Sequence, residues 1–202
     1  MKLYYAPGAC SLAPHIALCE AGLPHQLEKV DLAAKRTEGG ADYAAVNPKG
    51  YVPALALDDG QVLTEVSAVV QYVADQAPGS GLAPPPGTAE RYKLLEWLGF
   101  VATELHKGFG PLWKPDTPDA YKPVVRDSLA KRFGYLDGQL VDRDHLLGPG
   151  FTVADAYCFT ILNWTDFHGI DLAPFPNVGA YVGRVAARPK VQQAMREEGL
   201  IQ

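Results

Sequence analysis

Cysteine is scarce in this chain: three in 202 residues, none in a Cys-x-x-Cys pair and an odd number overall, which leaves no basis for a secreted disulfide framework. Cys10, Cys19 and Cys158 are therefore expected as free thiols in a reducing compartment. Long apolar runs are missing too. Pro7 and Gly8 interrupt MKLYYAPGACSL before it reaches signal-segment length, and nothing approaches the ~18 apolar residues of a spanning helix. A cytoplasmic protein with no membrane partner is the expectation. Positive charge is also short: the formal net charge is −5, and basic residues occur as pairs such as Lys35-Arg36 and Lys131-Arg132 rather than as runs, which argues against a nucleic-acid partner. GSGLAP places Pro84 where a dinucleotide motif needs its last glycine, and there is no Walker loop. The five histidines show no metal-ligand spacing, so no metal is expected.

What the chain does have is ordinary globular material, 48% apolar and 20% charged, enough for a core without staples. Its texture changes at APGSGLAPPPGTAE, residues 77 to 90, where prolines crowd with Gly79, Gly81 and Gly87 and no helix or strand can persist. This break sets the expected organisation: a domain over 1–80, a linker over 81–88 and a second domain over 89–202.

Before the break, short segments alternate in type. KLYYA reads as a strand, SLAPHIALCEAG as a helix closing at Gly22, and HQLEKVDL as a second strand. A short helix is expected ahead of AVNPKG. YVPALALDDGQVLTE gives two strands joined at Asp59-Gly60, and SAVVQYVADQA a closing helix. Strand, crossover helix and parallel strand followed by an antiparallel hairpin predict a mixed four-stranded sheet with helices on its faces.

After the break the pattern is helical throughout. Leu94, Leu98, Val101 and Leu105 recur at spacings of four, three and four, an amphipathic helix with one buried stripe. In FTVADAY, Thr152 and Asp155 have the spacing of a capping box. The fold class is an α/β N-terminal domain followed by an all-helical one.

Cys10 stands just after the first strand and just before the first helix. A helix N-terminus favours a thiolate through its unpaired N–H groups and positive dipole end, so this thiol is a candidate nucleophile; a small buried hydrophobe is the equally available alternative. Ala13 occupies the position of a resolving cysteine, so any mixed disulfide at Cys10 would need a thiol from outside. Cys19 and Cys158 fall inside apolar helical patterns and read as buried packing. Val52-Pro53 marks a strand edge whose backbone can pair with an extended peptide, with a sharp turn if the bond is cis. Glu65 and the N–H groups of Val66 and Ser67 open another helix and suit an amino-acid head, although a solvated glutamate in a first helical turn is the simpler account of Glu65 alone.

YAPGACSLAPHI, NPKGYVPAL, LTEVSAVVQYVAD, EWLGFVATELHKGF and FTVADAY occur in the order and spacing of the bacterial beta-class glutathione transferases, and the chain resembles that family over essentially its whole length. The resemblance implies a thioredoxin-like N-terminal domain, an all-helical C-terminal domain, a homodimer, and glutathione as co-substrate in an interdomain cleft. By position, it assigns Cys10 and His106 to the sulfur, Val52 to backbone pairing with the cysteinyl part, Lys35 to holding the tripeptide, and Glu65 with the Val66 N–H to the γ-glutamyl head. Thr103 and Glu104 complete the site. Gly99 and Val66 depart from the asparagine and the glycine or serine common at these places. Read as an α-helix, the sequence puts His106, Ala102 and Gly99 on one strip of small residues about 100° from the leucine stripe; without the family, His106 is a surface histidine at a helix C-terminus. Tyr5 is the rival thiolate support used in other transferase classes, and here reads as core. Trp113 and Trp164 are candidates for a pocket holding an electrophile.

Two activities are compatible with this resemblance: conjugation of glutathione to electrophilic apolar compounds, a detoxification, and thiol-disulfide exchange through a mixed disulfide at Cys10. A non-catalytic binding module is the third reading, because fold alone does not prove chemistry.

Overall fold

The computed structural model describes residues 1–202. In Lys2–Tyr5 (β1) the residues alternate as a half-buried strand should, with Leu3 and Tyr5 buried and Lys2 and Tyr4 between them less so. Leu12–Ala21 (α1) follows and stops at Gly22, whose φ of 65° is the left-handed conformation that a side chain resists; its N–H donates to the Cys19 carbonyl, and that of Leu23 to Leu18. The chain then runs parallel to β1 as Gln26–Asp31 (β2), pairing Leu3 with Leu27. Ala54–Ala56 (β4) and Val62–Thr64 (β5) form the antiparallel hairpin, turned at Asp59-Gly60 with Gly60 at φ 88°. Leu55 of β4 pairs with Leu3, so β1 is central.

A fifth strand adds to the expected four. Arg36–Thr37 (β3) pairs antiparallel with β2, giving the order β3-β2-β1-β4-β5. The region expected to be a short helix holds this two-residue strand and one 3₁₀ turn, Tyr43–Ala45, capped by the Asp42 carboxylate accepting from the Ala44 N–H. Tyr43 is fully buried and its hydroxyl donates to the Tyr51 carbonyl, so one aromatic anchor rather than a helical stripe orders this stretch. Val66–Gln76 (α2) buries Val66, Val69, Val70 and Val73 at helical spacing.

By packing, the chain divides into Met1–Ala83 with Arg188–Gln202, and Pro84–Ala187. The composition break falls beside the first boundary, but sequence patterning gives no sign of the second. Pro189–Glu197 (α9) packs on α1 in the first unit. Arg188 grips Glu20 with two nearly parallel bonds, Nε to Oε1 at 2.7 Å and Nη2 to Oε2 at 2.9 Å. Glu198, just past α9, is buried and accepts the Gly8 N–H at 2.9 Å.

The second unit is helical. Ala89–Phe100 (α3) buries Leu94 and Leu98, and Val101 and Leu105 continue the expected stripe. Val101–His106, however, is a π-helical turn, in which the Lys107 N–H reaches back five residues to the Ala102 carbonyl, and Lys107–Trp113 (α4) then resumes the α-helix. Lys122–Gln139 (α5) buries Val125, Leu129, Phe133 and Leu136. Val153–Leu162 (α6) is buried on every side. Its first turn carries Asp155, whose carboxylate accepts from the Thr152 N–H and hydroxyl, the Leu146 N–H and the Tyr181 hydroxyl at 2.8–3.1 Å. Burial raises that carboxyl's pKa, and the bonds from Leu146 and Thr152 oppose the rise without cancelling it. Trp164–Phe167 (α7) and Pro176–Ala186 (α8) complete the unit.

Candidate functional site

Cys10 lies in the turn that becomes α1. The buried Ser11 hydroxyl ties this turn down: it accepts from the Ala6 N–H at 3.1 Å and faces the Ala6 carbonyl at 3.3 Å, while the Ala9 N–H donates to Ala6 and the Ala13 N–H to the Cys10 carbonyl. The half-buried Cys10 thiol donates to the Val52 carbonyl, with Sγ–O 3.2 Å. A thiolate in that position would face a carbonyl oxygen. Ionisation therefore requires the sulfur to turn from Val52. The Val52-Pro53 peptide bond is cis.

The loop preceding that bond gathers the other first-unit candidates. Lys35, at φ 54°, donates from Nζ to the Gly50 carbonyl at 2.6 Å. Glu65 precedes α2 at φ 69° and ψ 122°, a backbone conformation that a side chain disfavours and that the surroundings must hold in place. Its carboxylate pairs with the Lys49 ammonium and accepts the Tyr51 hydroxyl at 2.9 Å. Lys49 also donates to the Thr64 hydroxyl at 2.8 Å. Sequence reasoning passed over Lys49 and Tyr51. Their adjacency to Val52 within NPKGYVPAL was the available signal, since a loop that presents Val52 also presents its neighbours. Val66 is the first residue of α2 and its side chain is buried, so the departure from glycine or serine there is spent on packing.

In the second unit Thr103, Glu104 and His106 sit together on the π-helical turn. The wider turn breaks the strip inferred from α-helical counting: His106, Ala102 and Gly99 do not share the 3.6-residue phase that counting assumed. Nor is His106 at a helix end, because α4 continues to Trp113. Its Nδ1 lies 2.6 Å from the Tyr157 hydroxyl, and its ring packs edge-on against Trp164 with centroids 5.0 Å apart. Thr103 donates back to the Gly99 carbonyl at 3.0 Å, and Glu104 pairs with Arg132 at 2.6 Å. A Cβ added at Gly99 would meet nothing within 4 Å, so no neighbour forces glycine there. Trp164 is buried, while Trp113 is exposed and packs edge-on against it and against His168.

Tyr5 is core, as read, and burial and then the nearby Glu198 raise its phenol. Cys158 is likewise fully buried, and burial pushes its thiol up. Cys19 departs from expectation. It is buried, but it lies beside His15 and His25, whose hydrogen bonds outweigh the effect of burial and bring its thiol below the ordinary range. His15 is fully buried with Nδ1 3.0 Å from Glu198 and Nε2 2.8 Å from Glu197. Burial pulls its pKa down, but the bonds to Cys19, Glu198 and Glu197 prevail and hold it up at about 10.

The models of the glutathione S-transferase N-terminal and C-terminal domains match residues 8–76 and 100–189. Among curated proteins, glutathione S-transferase GstA of Escherichia coli O157:H7 is 52% identical over 200 residues, spanning 99% of this chain and all of the relative. A sphingomonad glutathione S-transferase solved in complex with glutathione superposes with TM-score 0.96 at 50% identity, each chain covered in full. The bacterial beta-class enzyme of Sphingomonas chungbukensis does so with TM-score 0.96 at 49% identity, again over the full length of both.

Proposed function

The chain belongs to the glutathione S-transferase family, in its bacterial beta class, and we propose that it binds glutathione around Cys10, Val52, Glu65 and the N–H of Val66 and conjugates it to electrophilic apolar compounds. The observation that carries this reading is the Cys10 thiol on the Val52 carbonyl at a cis-proline edge. That carbonyl is the acceptor an extended cysteinyl residue would use, so an arriving tripeptide replaces the thiol there and brings its own sulfur to the start of α1. The γ-glutamyl ammonium takes a place on Glu65 beside Lys49 and Tyr51, and its carboxylate meets the Val66 N–H. Lys35 helps hold the tripeptide.

By the family resemblance, His106, anchored through Nδ1 by Tyr157, supports the sulfur, with Thr103 and Glu104 completing the site. The protein's share of the chemistry is to hold glutathione sulfur as an anion and aim it. That sulfur forms a bond to the electrophilic carbon, and the leaving group departs with the electron pair of the bond it loses. Operation as a homodimer, a detoxifying role and a cytoplasmic location belong to the same proposal. No helix is long and apolar enough to cross a membrane.

Cys10→Ala tests the division of labour. Glutathione uptake by calorimetry and conjugation of chlorodinitrobenzene are expected to survive within about tenfold, a loss of at most about 1.4 kcal/mol of transition-state stabilisation. Exchange of a glutathione mixed disulfide is expected to vanish. If both activities persist unchanged, Cys10 takes no part in the chemistry. Absence of uptake of either reduced or oxidised glutathione by the unmodified protein overturns the proposal.

A further inference from the structure

We propose that His15, Cys19, His25 and Glu197 form a zinc site that clips the C-terminal segment of the first unit onto α1. One nitrogen from each imidazole, the Cys19 sulfur and a Glu197 oxygen all lie within 4.8 Å of one another. Tetrahedral zinc with bonds of about 2.0–2.3 Å places its ligand atoms roughly 3.3–3.8 Å apart, so the cluster need contract by only about an ångström to close on an ion. Two nitrogens, one thiolate and one carboxylate are donors suited to Zn²⁺, a borderline-soft ion without geometric demands of its own.

The surroundings are those of a ligand set. His15 Nδ1 lies on the buried Glu198 carboxylate at 3.0 Å, and His25 Nδ1 donates to the Leu23 carbonyl at 2.8 Å. Each ring is thereby anchored through Nδ1, which leaves Nε2 as the nitrogen for an ion, and a carboxylate or carbonyl behind the ring is the outer shell that metal-binding histidines characteristically have. His15 and Cys19 are one helical turn apart on α1, and the turn after Gly22 brings His25 back across them, with imidazole centroids 5.7 Å apart. Glu197 enters from a position 182 residues beyond His15. His15 and Cys19 are buried, whereas Glu197 is exposed and His25 lines an open surface hollow of about 420 Å³, so an ion can reach the cluster from solvent. The histidines alone show no such pattern in sequence, because the set needs a cysteine between two of them and a glutamate from the far end of the chain. On binding, the protons on His15 Nε2 and on Cys19 leave to solvent, so that a neutral imidazole and a thiolate become the ligands.

The test uses the whole chain, freed of metal by chelator, reduced with a phosphine and kept free of glutathione, so it is independent of the transferase reading. Zn²⁺ titrated against a chromophoric competitor is expected to bind one per chain. Co²⁺ in its place is expected to show a thiolate-to-metal charge-transfer band and intense four-coordinate ligand-field bands. Cys19→Ser should abolish the charge-transfer band and weaken binding about 100-fold or more, and the exposed Glu197→Gln, which threatens the fold least, should weaken it about tenfold or more. Cys10→Ala should alter neither. Added Zn²⁺ should also slow amide exchange across residues 188–202, the signature of a clip. Binding that survives Cys19→Ser but is lost in Cys10→Ala, or absence of the charge-transfer band, overturns the site.

Discussion

Each unit contains a carboxylate removed from water, and the two are held differently. Asp155 in the helical unit is met by neutral donors, most of them near in sequence: the N–H and hydroxyl of Thr152 three residues back and the N–H of Leu146 nine back, with the Tyr181 hydroxyl added from α8. Glu198 in the sheet-containing unit is met by a buried imidazole 183 residues away and the Gly8 N–H 190 away. A local network nucleates the element that carries it. A distant one can form only after the rest of its unit exists, so it closes a structure rather than starting one.

Asp155→Ala breaks the comparison hardest. It strands four buried N–H or O–H partners and the start of the most buried helix, and is expected to cost about 4 kcal/mol, lowering the midpoint of thermal unfolding by about 10 °C or more. Circular dichroism melts check this; a loss within 1 kcal/mol would show that water replaces the carboxylate. Glu198→Ala is expected to cost about 2 kcal/mol, because His15 keeps Glu197, and to act locally. Faster amide exchange should concentrate in residues 188–202 and around Gly8, with Val153–Leu162 unaffected; uniform acceleration would mean that the segment is integral to global stability.

A second contrast is between histidines. His15, with two carboxylates, is held above its ordinary pKa, whereas His168, whose buried Nε2 has no hydrogen-bond partner, is held below it by burial and then by Arg126. For His168 the folded state resists a proton that the unfolded state accepts near 6.5. Its contribution to stability is present above that value and is lost as pH falls through the lowered folded one. His168→Phe, which preserves the ring packing against Phe109 and Trp113, should flatten the stability profile below pH 6.5 by a fraction of a kcal/mol after solvent screening. Urea unfolding at pH 5.5 and 7.5 measures it, and an unchanged pH difference refutes it.

The same division between near and far decided what could be read from sequence. Gly22, Asp59-Gly60 and Thr152–Asp155 act within a few residues, and each does in the structure what its local chemistry dictates. The leucine stripe from 94 to 105 survives the π turn because burial selects the side chains, while the backbone bonds that widen the turn leave no side-chain period to detect. At the candidate site, Cys10 and Val52 were legible from a strand-helix junction and a proline. The Lys49 and Tyr51 contacts to Glu65 were not, since loop side chains choose partners by three-dimensional proximity. Residues 188–202 were grouped with the helices because they are helical, and helicity carries no information about which unit an amphipathic face will cover.

That assignment of the last fifteen residues bears on how the molecule is born. During synthesis the thioredoxin-like portion emerges first, yet the turn bearing Cys10 lacks its Glu198 brace, and His15 both its acidic neighbours, until the whole of Pro84–Ala187 has been translated. A chain cut off after residue 187 would therefore carry every residue of the helical unit and an N-terminal one still waiting for its final piece.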